Sequence, residues 1–325
     1  MFPEFFFDQS PMGVKKIPEQ LFFTYTLNGT LPGLNETITY HLSPITYHLS
    51  PITYYLNSPP YICLMNLDLN GKTAVVCGST QGIGWAAAQV LASLGARIVL
   101  IARDEEKLKA CLPQLPVPNN QHHTYLVADF AHPQSVEDAI GKFALENEAH
   151  ILVNNTGGPN PGPAIDAHID DFRKAFNAHL VCNQIMAQAL VPSMKKAGYG
   201  RIINVISTSV KQPLPNLGVS NTIRGAVASW AKTLAMELGR FNITVNNVLP
   251  GATQTGRLEQ IIQNKATKMG SSVSDVAHEM AEEVPMKRLA EPQEIANAIA
   301  FLASPAASYI NGINVPVDGG RTLCL

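Results

Sequence analysis

The chain has no C-x-x-C pair, no excess of either charge and no apolar run of the roughly 18 residues that a membrane-spanning helix needs. Its five cysteines (Cys63, Cys77, Cys111, Cys182, Cys324) are odd in number and widely spaced. That excludes a complete disulfide frame, offers no metal-ligand spacing, and points to free thiols in a reducing, cytoplasmic compartment. With 23 Lys+Arg against 25 Asp+Glu, the formal net charge of -2 gives no footprint for nucleic acid or an anionic membrane. Charged residues make up only 15% of the chain and hydrophobic ones 46%, which excludes disorder and describes a large buried core. At 325 residues, that core belongs to one large α/β domain or two smaller ones.

The first 64 residues read differently from the rest. Glu36–Leu42, Ser43–Leu49 and Ser50–Leu56 carry the near-identical heptapeptides ETITYHL, SPITYHL and SPITYYL. A period of seven suggests a coiled coil, but Pro44 and Pro51 break each turn, and Thr, Ile and Tyr favour extended chain. No charged n-region, apolar h-region and cleavage site line up as a signal peptide. His41 and His48 are copies within a repeat rather than a metal pair, and no metal site is expected. The functional chain is therefore expected to begin at Met65, with 1–64 an irregular extension or flanking sequence outside the natural protein.

Everything after Met65 is organised around KTAVVCGSTQGIG at Lys72–Gly84. A short apolar run rich in β-branched residues (Thr73, Ala74, Val75, Val76) breaks into Gly78, Ser79, Thr80, Gln81, Gly82, Ile83 and Gly84, then enters an Ala-rich helical pattern. The first turn of a helix has unpaired N–H groups and partial positive charge, and glycines let the backbone approach a pyrophosphate. A strand before, a helix after and a second strand at Arg97–Ile101 supply the context that a dinucleotide site requires.

Strand two, ARIVLIARD, ends at Ala102 and Arg103, with Asp104 one step later. An acid there holds ribose hydroxyls, whereas a forked, permanent cation suits a 2′-phosphate, so Arg103 favours NADP, with NAD as the alternative. Strand three, Thr124–Ala128, is followed by Asp129 and Phe130, expected near the adenine. Beyond it, Pro133–Asn147 reads as a helix, Ile151–Val153 as strand four, and about Asp170 to Ala197 as one long helix. Strand five at Arg201–Ile206, a helix at about Leu217–Gly239, strand six at Ile243–Leu249, a helical segment to Glu283, a last helix from Glu291 and a strand at Asn314–Val317 follow. Alternating strands and helices predict a Rossmann-type doubly wound parallel sheet in a single α/β domain over 65–325.

With these motifs in view, the chain resembles the short-chain dehydrogenase/reductase family, especially 3-oxoacyl-acyl-carrier-protein reductases of fatty acid metabolism. CGSTQGIG at Cys77–Gly84 is similar to T-G-x-x-x-G-x-G, with Cys77 in place of Thr, and NNTG at Asn154–Gly157 to N-N-A-G. GRIINVIS at Gly200–Ser207 resembles the strand that ends in the catalytic serine, while Pro250–Gly251 and Val317–Gly320 match late signatures. The resemblance implies a sheet of about seven strands, NADP(H) bound additionally by Asn155, Thr156, Gly157, Pro250 and Gly251, and a homo-tetramer or dimer. Gly225, Ala226, Ala228 and Ser229 are small enough for close helix packing at such an interface.

The family's catalytic tyrosine and lysine are absent. Their positions fall on Ser220 and Arg224, and the helix asparagine falls on His179, so only Ser207 survives. A serine hydroxyl is too weak an acid to replace a tyrosine activated by an ammonium, and Arg224 does not release a proton near neutrality. Arg224 can hold ribose hydroxyls, where it counts as a cofactor residue, and can stabilise charge on a carbonyl oxygen. His179 titrates in a useful range, and Lys211 lies four residues past Ser207; these are the candidate proton donors. The expected activity is NADP(H)-dependent reduction of a small-molecule carbonyl to an alcohol, an acyl thioester among the substrates, without nucleic acid or membrane partners. The alternative is a dinucleotide-binding scaffold or partner subunit without turnover. Ala252–Pro285 reads as an amphipathic cover over the substrate.

Overall fold

A computed structural model describes residues Met65–Cys324, so the heptapeptide repeats and the expected extension lie outside the described residues. The strands are β1 (Thr73–Cys77), β2 (Arg97–Ala102), β3 (Thr124–Val127), β4 (Ile151–Asn154), β5 (Gly200–Val205), β6 (Ile243–Pro250) and β7 (Asn314–Val317). Each connects to the next through one or more helices: α1 (Gly82–Ser93), α2 (Glu105–Cys111), α3 (Pro133–Glu146), α4 (Ile169–Phe176), α5 (Cys182–Ala197), α6 (Gly218–Leu238), α7 (Gly256–Met269), α8 (Val273–Glu282) and α9 (Pro292–Ala303). They form a seven-stranded sheet, order β3-β2-β1-β4-β5-β6-β7, with every pairing parallel. This is the doubly wound sheet that the alternation of strands and helices predicts. The strand order reverses between β1 and β4, which opens a crevice at the carboxyl ends of those strands.

The sheet is buried on both faces, which is why β1 reads as an unbroken apolar run. Ala74 and Val76 pack with α1 and α9 (Leu91, Ile295, Ile299), while Val75 and Cys77 pack with α3, α5 and α6 (Ile140, Met186, Ala235). Each fully buried Leu or Ile in these layers contributes about 1.5–3 kcal/mol.

One set of buried polar groups crosses the sheet as a ladder. Asn154, Asn204, Asn247 and Asn314 stand in register on four adjacent strands. Each amide donates to the next, at 2.8, 2.9 and 2.8 Å. At the β1-facing end, Asn154 Oδ1 is buried without a hydrogen-bond partner among the described residues.

One local reading is corrected, and one helix is added to those the sequence suggests. The helix expected from Asp170 to Ala197 is two helices joined by a π turn at Asn177–Val181. The extra residue leaves the apolar pattern intact, so hydropathy does not show it. The segment before Cys111 is also helical: Asp104 caps α2, and Glu105 and Glu106 fill its first turn.

Candidate functional site

β1 ends at the glycine turn, and steric fit there requires glycine. A Cβ on Gly84 would lie 2.2 Å from Gly78 O, and one on Gly78, at φ +58, would lie 2.5 Å from Asn155 O. Asn155 Nδ2 donates to both Cys77 O and Gly78 O at 3.3 Å, stitching this turn to the end of β4. α1 then starts at Gly82, and its N-cap Gln81 makes no side-chain cap bond, so no side chain covers the first-turn N–H groups. No acid occupies that turn, and the cradle fits a phosphate by shape and charge. Ser79 is fully buried, its hydroxyl donating to Ile101 O at 3.3 Å, which ties the turn to the end of β2.

At the end of β2, Arg103 is exposed. The Asp104 carboxylate accepts from Lys107 N at 3.1 Å and pairs with the Lys107 ammonium, interactions that hold its pKa below the usual carboxylate range. It therefore caps α2. Asp129 follows β3 and is occupied locally, accepting from Ala131 N and meeting His132 Nδ1 at 3.2 Å. Phe130 beside it is half-buried against the α3–α5 side of the core.

Four chain segments converge past the ends of β4 and β5. Ser207 caps the 3₁₀ turn Thr208–Val210, its Oγ accepting from Ser209 N at 3.1 Å, which leaves its own O–H free to donate. Ser220, in the first turn of α6, is partly exposed. Arg224, one turn later, is 7% exposed and donates from Nη1 to Val205 O at 2.9 Å and from Nη2 to Thr156 O at 3.5 Å. Burial, with the nearby Arg257 cation, lowers its pKa to about 10, so Arg224 remains charged at neutral pH.

Thr156 Oγ1 in turn meets His179 Nδ1 at 2.5 Å. His179 sits in the π turn at 2% exposure, and burial, followed by the charge of Arg224, pushes its pKa down to about 2. The sequence suggests a histidine titrating near neutrality, but the fold holds it as a neutral ring. Lys211 is partly exposed in the loop after Ser207, where its carbonyl accepts from Cys324 Sγ at 3.5 Å. Gly251 closes the far wall; a Cβ there would meet Asp318 Cα at 2.7 Å. Tyr199 lies at the opposite end of β5, with its hydroxyl on Ala303 O at 2.6 Å.

Two neighbours of the site escape sequence reasoning. Thr255 caps α7, and its Cγ2 lies 3.1 Å from where a Cβ on Gly82 would stand. Arg257, in the first turn of that helix, donates to Pro159 O at 2.6 Å. A cation at the positive end of a helix opposes the helix dipole, and that mismatch is the one signal in the sequence that marks it.

A seven-stranded parallel sheet with a glycine cradle at its switch point defines a Rossmann-type protein. The family model described as enoyl-(acyl carrier protein) reductase matches residues 78–322. The 7alpha-hydroxysteroid dehydrogenase of Escherichia coli (strain K12) is 31% identical over 257 residues, covering 78% of this chain and 96% of that protein. L-Sorbose reductase from Gluconobacter frateurii, solved with NADPH and L-sorbose, superposes with a TM-score of 0.76 at 32% identity, covering 80% of this chain and 100% of that one. An NADPH-dependent reductase involved in bacilysin biosynthesis gives 0.72 at 28% identity, covering 78% and 99%. The chain belongs to the short-chain dehydrogenase/reductase family.

Proposed function

We propose that the chain is an NADP(H)-dependent reductase that converts a small-molecule carbonyl to an alcohol, using an arginine where its family carries a lysine. Arg224 carries this reading: a buried cation one helical turn from Ser220, anchored on the end of β5 just before Ser207. NADPH supplies the hydride when bound. Gly78–Gly84, with Ser79, Thr80, Gln81, Gly82 and Ile83 between, hold its pyrophosphate, and Arg103 takes the 2′-phosphate because Asp104 is committed to capping α2. Asp129 and Phe130 border the adenine; Asn155, Thr156, Gly157, Pro250 and Gly251 border the nicotinamide half.

Ser207 and Arg224 donate hydrogen bonds to the carbonyl oxygen and stabilise the charge that develops on it. Arg224 keeps its proton, so the oxyanion takes one from solvent through the partly exposed Ser220 hydroxyl. His179 holds Thr156 in place rather than acting as an acid, and Lys211, partly exposed in the loop after Ser207, has no assigned part in the proton transfer. Loss of a positioned acid costs about 10² to 10⁴ in rate, so turnover is slower than a tyrosine-bearing site would give.

The family model's description names an acyl-carrier-protein thioester but an enoyl rather than a 3-oxo one; support for a ketone comes from the relatives named for a steroid and a sugar. Open space around Gly225 on α6 supports helix-to-helix assembly as a dimer or tetramer. The test is a fluorescence titration with NADPH, followed by absorbance assays of NADPH oxidation with acetoacetyl thioesters and simple ketones. Binding with oxidation supports the reading; tight binding without oxidation by any carbonyl contradicts it.

A further inference from the structure

Two arginines hold one short loop. Arg224 on α6 donates to Thr156 O, and Arg257 on α7 donates to Pro159 O, so both guanidinium groups are held on the segment Thr156–Pro159, near enough for the charge of Arg257 to act on Arg224. Among the described residues, no carboxylate comes within ion-pair distance of either arginine. Glu259, the acid in the first turn of α7, is exposed and unpaired with Arg257. Arg224 is 93% removed from solvent by its 7% exposure, so water compensates little of its charge. Each carbonyl contact uses one N–H of a group that has five, leaving both forks with donors to spare. Like charges held near one another without a counter-ion are unfavourable, and a planar oxyanion is a ligand that relieves them.

We infer that Arg224 and Arg257 form a two-armed oxyanion site and that the substrate is an oxo acid, a carbonyl compound carrying a carboxylate close to the carbon that is reduced. Arg257 is the specificity-determining residue of this site. The inference rests on the reading of the cleft as a carbonyl reductase and narrows its substrate class away from neutral thioesters. Because Arg224 belongs to the reacting centre beside Ser207, the anion it shares with Arg257 lies at the substrate end. The cofactor's phosphates have the same oxyanion chemistry, and the experiment separates the two sources.

The probes are acetoacetate and its methyl ester for turnover. For binding they are 3-hydroxybutanoate and its methyl ester, titrated calorimetrically into the NADPH-loaded protein, in which the alcohol cannot react. Wild type is expected to favour each acid over its ester, and Arg257→Met to lower that preference by about tenfold or more, with Arg257→Lys recovering part of it. The inference is overturned if wild type prefers the esters, if Arg257→Met weakens acid and ester equally, or if the variant instead loses affinity for NADPH by a similar factor, which would assign the arginine to the cofactor. Failure of all carbonyl turnover would remove the reductase reading, whereas the calorimetric preference for acid over ester would still decide the anion site.

Discussion

Thr156 Oγ1 and His179 Nδ1 lie 2.5 Å apart, joining the end of β4 to the π turn between α4 and α5. His179 is therefore a buried neutral ring, with a pKa held near 2 by burial and by Arg224. In the unfolded chain it takes up a proton below its ordinary value of 6.5, and in the folded chain only below about 2. Stability then falls as pH drops through that interval, by up to about 1.4 kcal/mol per pH unit for this one group. His150, also lowered, first by burial and then by Lys72, adds to the slope. Urea unfolding of wild type and His179→Asn between pH 7.5 and 5 (about the range above carboxylate titration) is expected to show a shallower loss in the variant. Equal slopes would mean that His179 is not buried neutral.

The asparagine ladder gives a stability prediction. Asn204 is completely buried and bonded on both sides, to Asn154 and Asn247. Asn204→Ala leaves two buried amides partly unpaired and is expected to cost about 2–4 kcal/mol in chemical unfolding. Asn314→Ala, at the half-buried end of the ladder, breaks one bond and should cost about 1 kcal/mol. A ladder of no consequence would make the two substitutions equal and small.

The glycine turn separates steric need from simple flexibility. Gly84→Ala places a methyl 2.2 Å from Gly78 O and should abolish measurable NADPH binding. Gly225→Ala, in a helix with nothing within 4 Å of the added methyl in the single chain, should leave NADPH binding intact. Retained binding in Gly84→Ala would show that the cofactor does not use this turn.

In the proposed reading, cofactor choice rests on Arg103, with Asp104 capping α2. Arg103→Ala should weaken NADPH by about tenfold or more while leaving NADH nearly unchanged, because a charged hydrogen-bonding partner is lost for one nucleotide only. Asp104→Ala should shift neither ratio and only loosen α2. Fluorescence titrations with both nucleotides check the pair; a preference that moves with Asp104 would reverse the assignment.

How much of this was legible in the chain depends on the reach of each interaction. Buried parallel strands announce themselves as apolar runs, so β7 was read at its observed bounds, Asn314–Val317, and β1 within a residue or two. The glycine turn was legible because its chemistry is local. The helix α2 was missed, being seven residues long and followed by prolines, although Asp104 with Glu105 and Glu106 carried its start signal. The alignment of Asn154, Asn204, Asn247 and Asn314 exists only in strand register, which pairs positions far apart in the chain. His179 looks titratable in sequence because its burial comes from packing, and Arg257 carries little local signal because its partner, Pro159, is 98 residues away.

The central claim is that a buried arginine performs the oxyanion work in this site, and single-turnover oxidation of bound NADPH tests it most directly. With a reducible oxo acid or ketone, wild type should oxidise the cofactor. Saturated with NADPH, Arg224→Met should react about 10² to 10³ more slowly, with Arg224→Lys in between. Equal rates in wild type and Arg224→Met, or no oxidation by wild type with any carbonyl, would contradict the account.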